Sequence, residues 1–399
     1  AQVFDGSTSS FVYVSGGGDG TVTSKLTLPA AISFTKLRIY AGQNATSGTN
    51  IQANDINLSA SHTWALTGSW VDVTSSVTSP LTSLALTTVA GNSSNIRAIE
   101  IDDVVVVEGD GPGLKFQPDL VWLKSRSNAY GHILVDSVRG AGKELYSHAT
   151  DAEETPAAGN VSSFNSDGFT LASRTGINGS GATFVAWCWK AGGTASSNSN
   201  GSITSSVSAN AAYGFSIVSW NGTGANATVG HGLNSPPEMI LVKTRDNAYN
   251  WFVYHKHVAS DAETDYLRLN TDSGATDLSS AWNDTAPTSS VFSIGNDGSV
   301  NASGDKMIAY CFANVPGYQR LGSYTGNGSS TGPVVVTGFK PRFLLVKNTN
   351  SSRNWVLWDT ERDNNDTLKA NSSGTEESNY QVDALSNGFQ IKNTWNEFN

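Results

Sequence analysis

A short apolar segment that follows a proline and ends in a lysine occurs three times in this chain. Four consecutive apolar residues, many of them branched or aromatic, are too few for a helix and indicate a strand covered on both faces. The proline lies at the start of the strand, where a missing backbone N–H breaks no ladder hydrogen bond. The three copies are Pro118-Asp119-Leu120-Val121-Trp122-Leu123-Lys124, Pro237-Glu238-Met239-Ile240-Leu241-Val242-Lys243 and Pro341-Arg342-Phe343-Leu344-Leu345-Val346-Lys347.

Further elements recur around this strand in the same order. A second apolar strand follows a polar turn, and a third element begins at a leucine. Elements that recur in order at intervals of about one hundred residues indicate tandem domains rather than a short-period solenoid. The recurring members are the strands at 132–136, 251–255 and 355–359, the leucines Leu145, Leu267 and Leu368, the strands Ala186-Trp187-Cys188-Trp189 and Ala309-Tyr310-Cys311-Phe312, and the linking segments 214–222 and 317–326.

Composition narrows the fold class and excludes several partners. Short strands with Asn-Gly and Asp-Gly turn signals fill the sequence, without any long 3.6-residue apolar period, which predicts an all-β protein. Only 15% of the 399 residues are charged, and the net charge is −10 without a Lys/Arg cluster. We therefore expect no nucleic-acid binding, which needs a basic patch. We also expect no membrane insertion, because no apolar run approaches about 20 residues.

We predict tandem β-sandwich, jelly-roll-like domains: one N-terminal domain and three homologous repeats, the last incomplete. Residues 1–109 lack the proline-led unit but show strands at sandwich spacing. The repeats are assigned to 110–195, 196–315 and 316–399, with linkers at 110–113 and 192–202. The third repeat lacks the Ala-aromatic-Cys strand. We expect the sequence to be part of a longer chain rather than one completed by a neighbouring chain, because an open sheet edge invites aggregation.

Nothing in the residue pattern indicates catalysis, a cofactor or a metal. Ser, His and Asp occur without a nucleophile-elbow or comparable motif. The end of the second strand holds Asp136, His255 and Asp359, an identity that changes between copies and so indicates a structural role. His255 and His257 lack a third metal ligand. Segment 363–366 lacks the glycine and the distal glutamate of a calcium loop.

Three further sets of residues receive structural interpretations. The pairs Glu153-Glu154 and Glu376-Glu377 indicate solvated turns, because adjacent strand residues point to opposite faces. The lysines retained in every copy are expected to lay their stems over the core, or to pair with Asp136 or Asp359. Cys188 and Cys311 occupy one register in separate domains, too far apart for a disulfide, and are expected to be buried small hydrophobes. The lysines are Lys124, Lys243 and Lys347.

Four aromatic residues are the candidate binding residues. Trp220 and Tyr324 lie beside Asn-Gly and Thr-Gly turns, and Trp251 and Trp355 head edge-like strands. Flat rings beside polar loop residues can hold the face of a sugar, although the same rings are equally suited to a core. We therefore state glycan contact at these positions as a hypothesis.

Taken together, these motifs resemble a repeat module of marine bacteriophage virion proteins of the cyanophage or pelagiphage kind. The opening segment and one N-terminal strand look like the module that often precedes it. The resemblance implies a tail-fibre, tail or other structural protein. The segments that carry it are 114–124, 136–140, 186–193 and 282–293, with Val3-Phe4-Asp5-Gly6-Ser7 and Trp70-Val71-Asp72-Val73-Thr74-Ser75 in the preceding module.

From the resemblance we expect a non-enzymatic virion structural protein on a tail fibre or similar appendage, assembled in the host cytoplasm. Residues 1–109 would attach to other virion proteins, and the repeats would adhere to host-surface polysaccharide. Several weak sites would gain affinity by engaging one surface together. A homotrimer is the expectation for a tail fibre. The alternatives are a capsid or tail decoration protein without a receptor, and a polysaccharide depolymerase.

Overall fold

The computed structural model describes residues 12–15, 22–43, 50–63, 69–88, 93–101, 104–106, 114, 116–378 and 380–399. The expected features at 3–7 and 110–113 lie outside these residues. The chain forms two compact units, Ala1–Gly113 and Leu114–Asn399. The elements are short antiparallel strands, and the all-β prediction is confirmed. In the described part of the chain, no helix has the length and apolar character needed to cross a membrane.

Two sheets form the first unit. One runs in the order β1-β8-β3-β6 with β9 paired to β8, and the other runs β2-β7-β4-β5. Leu37 and Ile39 from one sheet share a core with Ile51 and Leu84 from the other, so the sheets pack face to face. The elements are β1 (Val12–Ser15), β2 (Val22–Ile32), β3 (Leu37–Gln43), β4 (Asn50–Ala53), β5 (Ile56–Asn57), the 3-10 turn η1 (Leu58–Ala60), β6 (Ser69–Asp72), the 3-10 turn η2 (Thr74–Ser76), β7 (Leu81–Thr88), β8 (Ser93–Ile101) and β9 (Val104–Val106).

The second unit contains the three repeats, and each contributes one proline-led strand, which we call its first strand. These first strands are β10, β19 and β26, and each pairs with a second strand, β11, β20 or β27. Repeat 1 contains β10 (Leu120–Ser125), β11 (Ile133–Asp136), β12 (Val161–Asn165), β13 (Gly168–Leu171), α1 (Thr175–Asn178) and β14 (Phe184–Trp189). Repeat 2 contains β15 (Ser196–Asn198), β16 (Ser205–Asn210), β17 (Phe215–Asn221), β18 (Ala227–Gly230), β19 (Met239–Thr244), β20 (Phe252–His255), β21 (Asp265–Arg268), β22 (Thr276–Asp277), α2 (Ser279–Trp282), β23 (Val291–Ile294), α3 (Gly298–Asn301) and β24 (Lys306–Phe312). Repeat 3 contains β25 (Val334–Val336), β26 (Phe343–Val346), β27 (Val356–Asp359), β28 (Asp366–Lys369), β29 (Glu377–Ser378), β30 (Val382–Leu385) and β31 (Gly388–Ile391).

A closing strand covers the free side of the first strand in two of the repeats. β14 pairs with β10, and β24 pairs with β19. These are the Ala-aromatic-Cys strands of the sequence, and both thiols are free. Cys311 is buried, and Cys188 packs at the edge of the repeat 1 core.

The repeats do not have the separate cores expected of domains on a string. Leu134 of repeat 1, Val253 of repeat 2 and Leu357 of repeat 3 belong to one buried cluster. Because strand side chains alternate between faces, each sheet can serve two cores. In repeat 1, Leu120 and Trp122 face the shared core. Val121 and Leu123 face a second, smaller core built from repeat 1 residues. The residue limits of the repeats remain a sequence prediction, but independent sandwiches were the wrong expectation.

Equivalent contacts join the repeats in a closed cycle. The ring nitrogen of the residue just before the second strand donates to a backbone carbonyl in the third element of another repeat. Repeat 2 donates to repeat 1, repeat 3 donates to repeat 2, and repeat 1 donates to repeat 3. The cyclic order gives the unit approximate threefold symmetry within one chain. The bonds are Trp251 Nε1 to Tyr146 O at 2.8 Å, Trp355 Nε1 to Arg268 O at 2.8 Å, and His132 Nε2 to Lys369 O at 3.0 Å.

Two local predictions fail. Segment 192–202 is not a linker, because Ser196–Asn198 forms β15 and pairs with β16 at the edge of an eight-stranded sheet. An edge strand is solvated on one side and therefore tolerates this small polar composition. Segment 317–326 forms no strand, although its counterpart β17 does. β17 pairs with the closing strand β24, and the described residues of repeat 3 contain no closing strand.

Candidate functional site

Three of the four candidate sugar-binding aromatics are core residues. Trp251 is 0% exposed, and Trp220 and Trp355 are each 3% exposed. The indoles of Trp251 and Trp355 make the inter-repeat hydrogen bonds given above, and Trp220 packs edge-on against Phe292. A buried ring presents no face to a sugar, so the glycan hypothesis is wrong at these positions. The sequence placed them beside turns, but the closure of the repeats covers those turns.

Tyr324 is half-buried within the repeat 3 core. Its ring packs edge-on against Phe389, with centroids 6.1 Å apart. Its hydroxyl donates to the carbonyl oxygen of Phe398 at 2.6 Å. Burial raises the pKa of Tyr324 above its usual value. Both the ring and the hydroxyl are therefore engaged within the repeat.

The retained lysines bind backbone rather than acids. Lys243 Nζ donates to the carbonyl oxygens of Thr244 at 2.8 Å and Asn247 at 3.1 Å. Lys124 and Lys347 make the equivalent bonds to the turn that follows their own strands. Burial lowers the pKa of each of the three ammonium groups to about 8. The expected pairing with Asp136 or Asp359 is wrong; the lysine holds the turn instead.

The first glutamate of each acidic pair belongs to an inter-repeat ion pair, not to a solvated turn. Glu376 accepts from Arg126 Nε and Nη2 at 2.7–3.0 Å, which joins repeats 3 and 1. Glu153 accepts from Arg245 Nε at 2.8 Å and Nη2 at 3.0 Å, which joins repeats 1 and 2. Ala275 occupies the equivalent place in repeat 2 and has no carboxylate. Its backbone N–H donates to the carbonyl oxygen of Thr349 at 2.8 Å.

The positions weighed for metal binding have other partners. Asp366 accepts from Ser378 Oγ at 2.6 Å and lies 3.5 Å from Arg126 Nη2. His257 lies 3.4 Å from a carboxylate oxygen of Glu238. Among the described residues, no group of three or more His, Cys, Asp or Glu side chains is arranged to hold a metal ion.

A cleft of about 500 Å³ opens in repeat 1. One side carries the ring of Tyr130, which is 39% exposed. The rim and floor carry His148, Asp151 and Arg174, so a flat apolar face stands beside polar groups of both charges. The full lining is Tyr130, Gly131, Ile133, Tyr146, His148, Asp151, Ala158, Ser173, Arg174, Thr175 and Gly176.

Repeat 1 departs from the other repeats at two positions that line the cleft. In repeat 2, Asn270 bonds both the Trp251 N–H and Asn250, each at 2.9 Å. Asn371 makes the same pair of bonds in repeat 3. Repeat 1 has Gly131 and His148 in place of this asparagine pair. A Cβ on Gly131 would lie 2.0 Å from His148 Cε1, so the glycine makes room for the imidazole.

A dense hydrogen-bond network holds the wall of the cleft. The Tyr146 hydroxyl bonds to Glu144 and, at 2.7 Å, to Glu154. Arg174 Nη1 bonds both oxygens of Glu144 at 2.5 and 2.6 Å, and Asn160 Nδ2 bonds one of them at 2.9 Å. Burial, and then the two carboxylates, raise the pKa of Tyr146. The network thus fixes Arg174 and Tyr146 in place before any ligand arrives.

His148 is the unsatisfied member of the site. Its Nδ1 is buried without a hydrogen-bond partner. Burial lowers the pKa of His148, the charge of Lys124 adds to the lowering, and Asp151 opposes it. The imidazole is therefore neutral at pH 7 and adds a polar ring to the cleft without adding charge.

Sequence reasoning missed this cleft, although a signal was present. The triplet Asn-Ala-Tyr recurs at 128–130 and 247–249 and ends in an exposed tyrosine both times. Glu144 and Tyr146 have no like residues at the equivalent positions of repeats 2 and 3, which hold Tyr266 with Arg268, and Thr367 with Lys369. The combination of Tyr130 with Glu144 and Tyr146 therefore occurs in repeat 1 alone among the three copies.

Comparison with known proteins gives a family and little else. A family model described as "Domain of unknown function (DUF7483)" matches residues 104–399. No curated protein matches the chain. Among solved structures, the "Structure of alpha-L-rhamnosidase from Dictyoglumus thermophilum" aligns at 9% identity and a TM-score of 0.15, over 82% of this chain and 36% of that one. The chain thus spans about a third of that enzyme's length, and at this TM-score the likeness supports no conclusion about fold or activity.

Proposed function

The chain belongs to the DUF7483 family, whose description states no activity. We propose that it is a non-enzymatic structural protein of a phage virion appendage. From the geometry of the cleft, we propose that it adheres to a host-surface glycan through repeat 1. The cleft of repeat 1, not the four aromatics first considered, is the proposed glycan site. The virion assignment is supported by the resemblance of the repeat motifs to marine phage virion proteins.

The observation that carries the adhesion proposal is the half-exposed Tyr130 ring above fixed polar groups. Sugar-binding sites pair an aromatic face, which takes the C–H side of the ring, with hydrogen-bond partners for the hydroxyls. Asp151 accepts hydrogen bonds, Arg174 donates them, and His148 offers a ring nitrogen. Arg174 and Tyr146 are held by Glu144, so little side-chain entropy is lost when a ligand binds.

The same geometry favours binding over cleavage. Glu144 and Glu154 both bond the Tyr146 hydroxyl, so the two carboxylates lie close together, as glycosidase catalytic carboxylates do. Glu144 is fully buried, however, and both of its oxygens are occupied by Arg174. The Tyr146 hydroxyl lies between the two carboxylates, where a scissile bond would have to sit. A depolymerase is therefore the weaker proposal.

Avidity must come from copies of the chain rather than from repeats within it. The cleft depends on Gly131 and His148, which only repeat 1 carries among the three copies. One chain then contributes one site, and the homotrimer we propose for the appendage would present three. Linked sites that engage one surface can gain affinity by about 10²–10⁴.

The test is binding of purified protein to host-surface polysaccharide by calorimetry, with Tyr130→Ala as the variant. Tyr249 is the matched control, since it ends the same Asn-Ala-Tyr triplet in repeat 2 and is 42% exposed. We expect Tyr130→Ala to weaken binding about 5- to 30-fold, because one aromatic contact contributes about 1–2 kcal/mol. Tyr249→Ala should bind like the wild type.

A second variant closes the cleft without truncating a ring. The double variant Gly131→Asn and His148→Asn introduces into repeat 1 the asparagine pair of repeats 2 and 3. We expect it to fill the cleft and abolish binding while the fold is retained. Absence of saturable binding by the wild-type protein would favour a decoration protein without a receptor. Release of reducing ends from the polysaccharide would favour the depolymerase.

A further inference from the structure

One edge of the repeat 3 sheet is uncovered within the described residues. The sheet runs β26-β27-β28-β29, which leaves the first strand at its end. The same edge is paired with β14 in repeat 1 and with β24 in repeat 2. All four residues of β26 are half-buried, whereas every residue of β10 is buried. The difference in burial is what removing one neighbouring strand would produce.

A second feature concerns the neighbour that a closing strand has on its other side. In repeat 2, β24 lies between β19 and β17 and pairs with both. The counterpart of β17 in repeat 3, segment 317–326, matches it in sequence but forms no strand. By analogy with repeat 2, a strand paired with β26 would have segment 317–326 as its second partner.

A third feature is a side chain whose partner is missing. The aromatic residue of each closing strand bonds the last residue of a second strand in another repeat: Tyr310 Oη donates to Asp136 Oδ2 at 2.7 Å, and Trp187 Nε1 donates to Asp359 Oδ2 at 3.0 Å. The third such position is His255 of repeat 2. The His257 N–H donates to His255 Nδ1 at 3.2 Å, so the neutral ring carries its proton on Nε2. Nε2 has no hydrogen-bond partner among the described residues.

We propose that the free edge of β26 is a docking site for one antiparallel peptide strand of the β14 and β24 type. The registers of repeats 1 and 2 place a small residue opposite Val346 and a hydrogen-bonding residue opposite Leu345. Because His255 Nε2 donates, that residue must be an acceptor, which a tyrosine hydroxyl can be and an indole cannot. Backbone bonds to the sheet edge supply affinity, and the alternating side chains supply specificity. The site is separate from the repeat 1 cleft, so the two proposals stand or fall independently.

The probe is a synthetic peptide of residues 305–313, which contains β24, with Cys311→Ser to prevent oxidation. The peptide is labelled and titrated into the 399-residue protein while fluorescence anisotropy is recorded. We expect saturable one-to-one binding and a rise in the midpoint of thermal unfolding, since a ligand that binds only the folded state stabilises it. A peptide with Tyr310→Phe should bind about fivefold more weakly, the effect of about 1 kcal/mol for one hydrogen bond.

Two controls keep the outcome decisive. A peptide N-methylated at alternate residues on the edge that faces β26 keeps every side chain but cannot pair, and it should not bind. The protein variant His255→Ala should bind the tyrosine and phenylalanine peptides equally, which assigns the contact to this pair. Failure of the parent peptide to saturate, or equal binding by the N-methylated peptide, would overturn the proposal.

Discussion

Trp187 Nε1 of repeat 1 donates a hydrogen bond of 3.0 Å to Asp359 Oδ2 of repeat 3. The same carboxylate oxygen accepts from Arg362 Nε at 2.7 Å, and the guanidinium lies over the Trp187 ring. The first and last repeats of the second unit are thus joined through a buried, charge-assisted contact. With the His132–Lys369 hydrogen bond and the Arg126–Glu376 ion pair, this contact joins repeat 1 to repeat 3.

Replacement of this indole should weaken the whole second unit. Trp187→Phe removes one hydrogen bond to a buried carboxylate and should lower the free energy of unfolding by about 1–3 kcal/mol. Urea denaturation followed by circular dichroism measures the change. Trp395→Phe is the control, because Trp395 is half exposed and its replacement should have little effect. Equal losses for the two variants would show that the closing bond contributes nothing.

The inter-repeat ion pairs should matter more than surface pairs. Arg245→Ala leaves Glu153 mostly buried with Arg139 and Lys143 alone, and should cost about 2–3 kcal/mol of stability. The control is Arg342→Ala, whose pair with Glu361 is 82% and 77% exposed. That variant should stay within about 0.5 kcal/mol of the wild type. Chemical denaturation of both variants in one buffer makes the comparison, and similar costs would contradict it.

Stability should fall on acidification because of the buried His132. Burial lowers the pKa of His132 well below 6.5, and the charge of Lys124 lowers it further. Below about pH 6.5 the unfolded chain therefore binds more protons than the folded one. The contribution of His132 is complete above that pH and is lost as the pH falls.

The variant His132→Gln isolates this contribution. It should be less stable than the wild type at pH 8, since the ring also bonds Trp122 and the Lys369 carbonyl. It should lose less stability between pH 6.5 and 5, by up to about 1.4 kcal/mol per pH unit. Urea midpoints over a pH series measure this, with half-exposed His257→Gln as the control. Parallel pH profiles for His132→Gln and the wild type would refute the assignment.

The retained lysines should be needed for their ammonium groups. Lys243→Met keeps the apolar stem but leaves the Thr244 and Asn247 carbonyls without their donor. Stability should fall by about 1–3 kcal/mol. Lys256→Met is the control, because Lys256 is largely exposed in its pair with Glu238. A thermal melt that moves no further for Lys243→Met than for Lys256→Met would count against the role assigned here.

The sequence was sufficient to predict where the strands lie, but not which residues of other repeats cover them. The proline-led strands, their partners and the Ala-aromatic-Cys strands all lie where the repeat pattern predicts. The same pattern could not distinguish a turn open to solvent from one covered by another repeat, and so placed Trp251 and Trp355 at the surface. It also could not show that Glu153 meets Arg245, because the two residues come from different repeats.

The candidate site shows the same division. The sequence shows that glycine and histidine replace asparagine at 131 and 148. It cannot show that these residues line a cleft, because a cleft depends on how distant residues pack.

The sequence by itself determined the all-β class, the threefold internal repeat and the strand positions, because side-chain alternation, proline and turn residues act locally. Only the tertiary structure decided that the repeats close on one another around a common core. That outcome depends on packing and hydrogen bonds between residues such as Trp187 and Asp359, which are distant along the chain and meet only when all three sheets are in place.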